Sequence, residues 1–161
     1  MANHKQPGYR LGLVIPSVNT MTEPQFNRFA PPDVSTHVAR VRISYPNREL
    51  IPLAVLIPEV VRAAELLADA ACDLIVFHCT ASSMEAGVEG EKQATAAIER
   101  ATGRPATTTA SAVSAAFDVL GASKIVLVSP YPKATNEYEI RFLDECGVQV
   151  LHDRPLDLPP S

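Results

Sequence analysis

Three short runs dominated by branched apolar residues constrain this chain more than any other feature: Leu11 to Ile15, Asp73 to Phe77, and Lys124 to Val128. Runs this short, rich in Val and Ile and without polar alternation, suit strands buried on both faces of a sheet. Segments of helical period lie between them. Ile57 to Ala71 puts Val60, Ala64, Leu67 and Ala71 on one face. Val88 to Thr102, Ser111 to Leu120 and Thr135 to Cys146 are three further helices. These stop at Gly103, Gly121 and Gly147, the residue type that best accepts the left-handed turn after a helix. Alternating strands and helices predict βαβ units, hence an α/β fold: a three-layer α/β/α sandwich around a mostly parallel sheet. The strands near Leu11, Ile75 and Ile125 are expected at its centre. Val34 to Ser44 mixes apolar residues with His37, Arg40 and Arg42 and reads as a strand nearer an edge. Arg40 and Arg42 alternate with Val41 and Ile43 and read as a solvated strand face.

One domain is expected over residues 1–152. Pro155, Pro159 and Pro160 mark 153–161 as a Pro-rich tail that suits neither a helix nor a central strand. The 161 residues carry a net charge of −4 with no dense Lys/Arg stretch, which disfavours nucleic acid as a partner. No apolar run reaches the ~18 residues of a membrane span. The polar stretch Met1 to Arg10 reads as the approach to a strand and not as a signal peptide. Three cysteines without paired spacing (Cys72, Cys79 and Cys146) point to reduced thiols in a cytoplasmic protein. They have no zinc-like spacing, so no metal site is expected, and no Gly-rich phosphate loop occurs.

In a parallel sheet, ligands bind beyond the carboxyl ends of the strands. Three loops therefore carry the candidate chemistry: Pro16 to Glu23, His78 to Gly87, and Ser129 to Asn136. In the second, Cys79 follows a buried strand, where N–H groups of the next turn favour a thiolate or hold a substrate oxyanion. The competing reading makes Cys79 a small buried apolar residue. Cys72 and Cys146 sit at helix ends and read as structural. In the first loop, Asn19 either binds a carboxylate or caps the following helix, whereas Thr22 reads as a cap. In the third, Tyr131 stands between Pro130 and Pro132, aimed at the strand ends or packed on the surface.

Together these loops resemble a known family. Gly12-Leu13-Val14-Ile15-Pro16-Ser17-Val18-Asn19-Thr20-Met21-Thr22-Glu23-Pro24 is similar to the opening of maleate cis-trans isomerases and arylmalonate decarboxylases, of the Asp/Glu racemase superfamily. Cys79-Thr80-Ala81-Ser82-Ser83 resembles the family's Cys-Thr-Ser-Gly-Ser turn, with Ala81-Ser82 in place of Ser-Gly. Pro105 to Ala112 and Val128-Ser129-Pro130-Tyr131 follow in family style. The resemblance implies one half of a two-domain fold plus part of the link to the second half, and a cofactor-free site for a small carboxylate or dicarboxylate. It also implies that Cys79 is the nucleophile or acid/base. Thr80 and Ala81 would supply oxyanion donors, Asn19 would bind a carboxylate, and Tyr131 would donate to an oxygen. Asn136, at the end of the third loop, is counted among the substrate-binding residues. The activity implied is that of an isomerase or decarboxylase. The alternative is a carboxylate-binding module, or an inactive shortened relative, without turnover. A half-fold leaves an apolar face uncovered, so a homo-oligomer is expected.

Overall fold

A computed structural model describes residues 8–43 and 50–158. In chain order the elements are β1 (Tyr9–Pro16), α1 (Thr22–Phe29), β2 (Val34–Val41), α2 (Leu53–Asp69), β3 (Leu74–Phe77), α3 (Thr80–Met84) and α4 (Gly87–Thr102). They continue with β4 (Ala106–Thr108), α5 (Thr109–Leu120), β5 (Lys124–Ser129), α6 (Lys133–Glu145) and β6 (Gln149–Pro155). The first four strands form a parallel sheet in the order β2-β1-β3-β4, flanked by helices. The α/β architecture expected from the apolar runs is therefore present. β1 and β3 are central, with Leu13 opposite both Val38 and Val76, and β2 is an edge. Ser44, where the sequence reading ended the edge strand, lies outside the described residues.

The core follows from the patterning. Val14, Ile75 and Phe77 from the sheet pack with Leu56, Val60, Ala64 and Leu67 of α2 and with Ala94 and Ile98 of α4. Cys72 is fully buried among them, as its helix-end position suggested. α2 begins a turn earlier than its periodicity indicated, so Pro58 lies inside the helix. The N–H that Pro58 lacks would have met the carbonyl of Ala54, and both residues are exposed where water can serve that carbonyl. The N–H of Leu53 is instead satisfied by the Glu85 carboxylate at 2.8 Å. Gly103, Gly121 and Gly147 each follow a helix with positive φ, as the stop positions required.

One expectation fails. The run Lys124 to Val128 does form a strand, but Ile125 is not at the centre of the main sheet. Among the described residues β5 pairs with β6 alone, in a separate parallel two-stranded sheet with α6 as the crossover. Val126 and Val128 are 63% and 61% exposed. The run has the composition of a doubly buried strand, yet among the described residues nothing covers that face. α5 behaves alike: it is apolar in composition, but Val119 and Leu120 are exposed. Short as it is, β4 carries too little pattern to be read as a strand. β6 extends through Pro155, so the first residues of the Pro-rich tail close an edge strand, where proline is tolerated.

Candidate active site

Neighbouring parallel strands place two of the three loops together. Val14 pairs with Phe77, and the N–H of His78 continues the ladder to the carbonyl of Val14 at 2.8 Å. The loops leaving β1 and β3 thus emerge at the same end of the sheet. Cys79 stands in extended conformation immediately before α3, is 9% exposed, and donates its thiol to Ser82 Oγ at 3.2 Å. Ser83 Oγ donates to the carbonyl of Thr80 at 3.0 Å and accepts from the N–H of Ala110 at 3.2 Å. The turn after the cysteine is thereby fixed to the start of α5.

Tyr131 reaches this turn from the loop after β5. Its phenol takes hydrogen bonds from the Thr80 side chain and the Ala81 backbone. Burial, the Glu139 carboxyl and the Cys79 sulfur outweigh those donors and push the phenol up to about 12. It therefore keeps its proton at neutral pH and acts as a donor. Cys79, Thr80, Ala81 and Tyr131 form one cluster.

Asn19 sits in the loop after β1, where its Oδ1 accepts from the N–H groups of Met21 and Thr22, each at 3.0 Å. It caps the entry to α1, and its amide NH₂ is what it can offer a ligand. Arg40 is exposed, as its place on the strand face indicated, and also anchors this loop. It donates to the carbonyls of Ser17 (3.2 Å) and Asn19 (2.7 Å) and pairs with Glu23. Asn136 is buried, accepting from Ser129 Oγ at 2.7 Å and donating to Asp153 Oδ2 at 2.9 Å. Both ends of its amide tie β5, α6 and β6 into a unit, which is the role visible for it here.

His78 does not bond the sulfur. Its Nδ1 meets Thr109 Oγ1 at 3.2 Å, and its ring meets Phe26 edge-on with centroids 5.7 Å apart. Burial lowers its pKa, so the imidazole is neutral at pH 7. Sequence reasoning missed two buried acids. Glu91 Oε1 accepts from Thr108 Oγ1 (2.8 Å), Ser111 Oγ (2.6 Å) and Thr95 Oγ1 (3.0 Å), clamping α4 to the start of α5. Glu139, on α6, is 4% exposed. Nothing in a helix sequence distinguishes a buried acid from a solvated one. Only the hydroxyl pair Thr108 and Ser111, three residues apart at a helix start, offered a hint. Among the described residues, no cluster of His, Cys, Asp or Glu is arranged to hold a metal ion.

A thiol and a phenol thus converge beyond the strand ends of a parallel sheet, and comparison with known proteins gives this arrangement a family. The arylmalonate decarboxylase family profile matches residues 52–159. The chain belongs to that family, which with the maleate isomerases forms part of the Asp/Glu racemase superfamily. A maleate isomerase from Pseudomonas putida is 29% identical over 95% of this chain and 65% of its own length. The crystal structure of the maleate isomerase Iso from Pseudomonas putida S16 superposes with a TM-score of 0.81 at 24% identity, over 94% of this chain and 65% of that one. A mutant maleate cis-trans isomerase from Nocardia farcinica with a covalently bound succinylcysteine intermediate gives 0.81 at 24% identity, over 93% and 64%. The chain thus spans about two thirds of the length of these relatives.

Proposed function

We propose that this chain carries the thiol-bearing half of a cofactor-independent site for a small carboxylate, with maleate or an arylmalonate as the substrate class. The observation that supports it most directly is the placement of the Tyr131 phenol on Thr80 and Ala81 beside Cys79. In this reading Cys79 is the nucleophile or acid/base, since a thiolate attacks and departs from carbon more readily than an alkoxide. Thr80, Ala81 and Tyr131 donate to a substrate oxygen, and the Asn19 amide NH₂ donates to a carboxylate. In isomerisation, Cys79 Sγ adds to one alkene carbon, the remaining single bond rotates, and the sulfur leaves with its electron pair as the alkene reforms. In decarboxylation, the departing CO₂ leaves an enediolate that takes the thiol proton. The relative with a succinylcysteine intermediate makes the first route the leading one.

The test is peptide-resolved alkylation with iodoacetamide, alongside incubation with maleate and an arylmalonate. Cys79 is expected to label ahead of Cys72 and Cys146, and Cys79→Ser to abolish any turnover with little loss of stability. Labelling of Cys72 or Cys146 first, or full activity in the serine variant, refutes the assignment. A second reading is a carboxylate-binding module without turnover. Ligand binding without product formation distinguishes it. We further propose a homo-oligomer, supported by the exposed Val126, Val128, Val119 and Leu120. A single monomeric species in sedimentation at high concentration counts against it.

A further inference from the structure

We propose that Arg40, on the edge strand β2, is a positioning residue for carboxylate binding. Its guanidinium fixes the loop after β1 so that the Asn19 amide NH₂ is held ready for a ligand. The inference rests on the role proposed for Asn19 and adds a residue from the neighbouring strand.

Strand register puts Arg40 beside the loop it holds. It pairs with Ile15, and Val41 pairs with Pro16, so its side chain leaves β2 level with the last residues of β1. The loop has little packing of its own: Ser17, Val18, Thr20 and Met21 are exposed, and Asn19 is half-buried. Its backbone is tied by the Ser17 N–H to the Val41 carbonyl at 2.8 Å and by the Asn19 N–H to the Pro16 carbonyl at 3.0 Å. Arg40 Nη1 adds bonds to the carbonyls of Ser17 and Asn19, while Nη2 pairs with Glu23 in the first turn of α1. One planar guanidinium thus joins the loop to the helix that follows it. The point charge of a lysine does not reproduce that fork.

The Asn19 side chain is held as well, its Oδ1 accepting from the N–H groups of Met21 and Thr22. With the backbone carbonyl and Oδ1 both fixed, the NH₂ has a set direction. A carboxylate meeting an amide already in place does not have to order those exposed residues first, and this pre-ordering raises affinity. Glu23 offsets the guanidinium charge and the loop carbonyls engage Nη1, so Arg40 acts through Asn19 and not on the ligand.

The experiment is calorimetric titration of the full chain with maleate, in a Cys79→Ser background that removes turnover. Asn19→Ala is expected to weaken binding about tenfold, as loss of one hydrogen bond to a charged group does. Arg40→Ala should weaken it about five- to tenfold, and Arg40→Lys to within about twofold of the same value. In an Asn19→Ala background, Arg40→Ala should cost no more than about a further twofold. Parent affinity in Arg40→Lys overturns the inference, because charge alone then suffices. Losses that multiply in the double variant also overturn it, because Arg40 then binds the ligand by itself. Parent affinity in Arg40→Ala beside a weakened Asn19→Ala overturns this inference alone. Unchanged affinity in Asn19→Ala, or no maleate binding at all, overturns the role proposed for Asn19 and this inference with it. In the unsubstituted chain, maleate should shift the Asn19 side-chain amide resonances and leave the Arg40 Nε–H resonance in place. A shift at Arg40 with none at Asn19 overturns the proposal without any variant having to fold.

Discussion

Gly87 opens α4 with φ +69, in the left-handed region, and faces the end of α6. A Cβ at this position would lie 2.6 Å from Glu145 Oε2 and 2.9 Å from Oε1. That same Oε2 accepts the N–H of Val88 at 2.7 Å, satisfying one of the free donors at the helix start. Gly87→Ala therefore carries two costs. Holding alanine in left-handed backbone costs about 1–2 kcal/mol. Displacing the carboxylate loses a charge-assisted cap, about another 1–2 kcal/mol. The expected destabilisation is about 2–4 kcal/mol by urea unfolding at pH 7, set against about 1 kcal/mol for Glu145→Ala. In the Glu145→Ala background the clash and the cap are already gone, so Gly87→Ala should cost only its backbone part. A double-mutant cycle should then show coupling of about 1–2 kcal/mol. Loss below about 0.5 kcal/mol in the single variant, or full additivity in the cycle, refutes the reasoning.

Glu91→Ala strands three hydroxyls, on α4, β4 and α5, and should cost roughly 2–4 kcal/mol in urea unfolding, while Glu91→Gln, which keeps the accepting oxygen, should cost about 1 kcal/mol. Equal losses for the two refute the clamp. Glu139 carries a pH signature in stability. Its folded carboxyl sits at about 7 against 4.5 unfolded, so between those values the folded state holds a proton that the unfolded state has released. The penalty is absent below pH 4.5, grows as pH rises, and is complete above 7, on the order of 2–3 kcal/mol. Glu139→Gln should match the parent at pH 4.5 and exceed its stability by that amount at pH 8. An equal difference at both pH values contradicts the assignment.

Local pattern carried much of this molecule. Apolar runs without polar alternation determined β1, β3 and β5, and helical period with a terminal glycine determined three helix stops, because both depend on backbone geometry within a few residues. The position of the thiol was legible for the same reason: a residue just after a buried strand sits at a strand end in any parallel sheet. Partnership was not legible. Lys124 to Val128 has the composition of a central strand, but whether it joins the sheet of β1 and β3 or starts another is decided by which elements lie beside it. Arg40 is on the exposed face that the alternation indicated, but its bonds to the carbonyls of the first loop came only with the placement of β2 beside β1. The bonds of Asn136 to Ser129 and Asp153 depend on where β6 lies and could not be read from its loop. Nothing local marks Glu91 and Glu139 as buried acids, because burial depends on elements that pack against them. Hydrogen-bond satisfaction and desolvation are set by neighbours distant in sequence, so they belong to the tertiary structure alone.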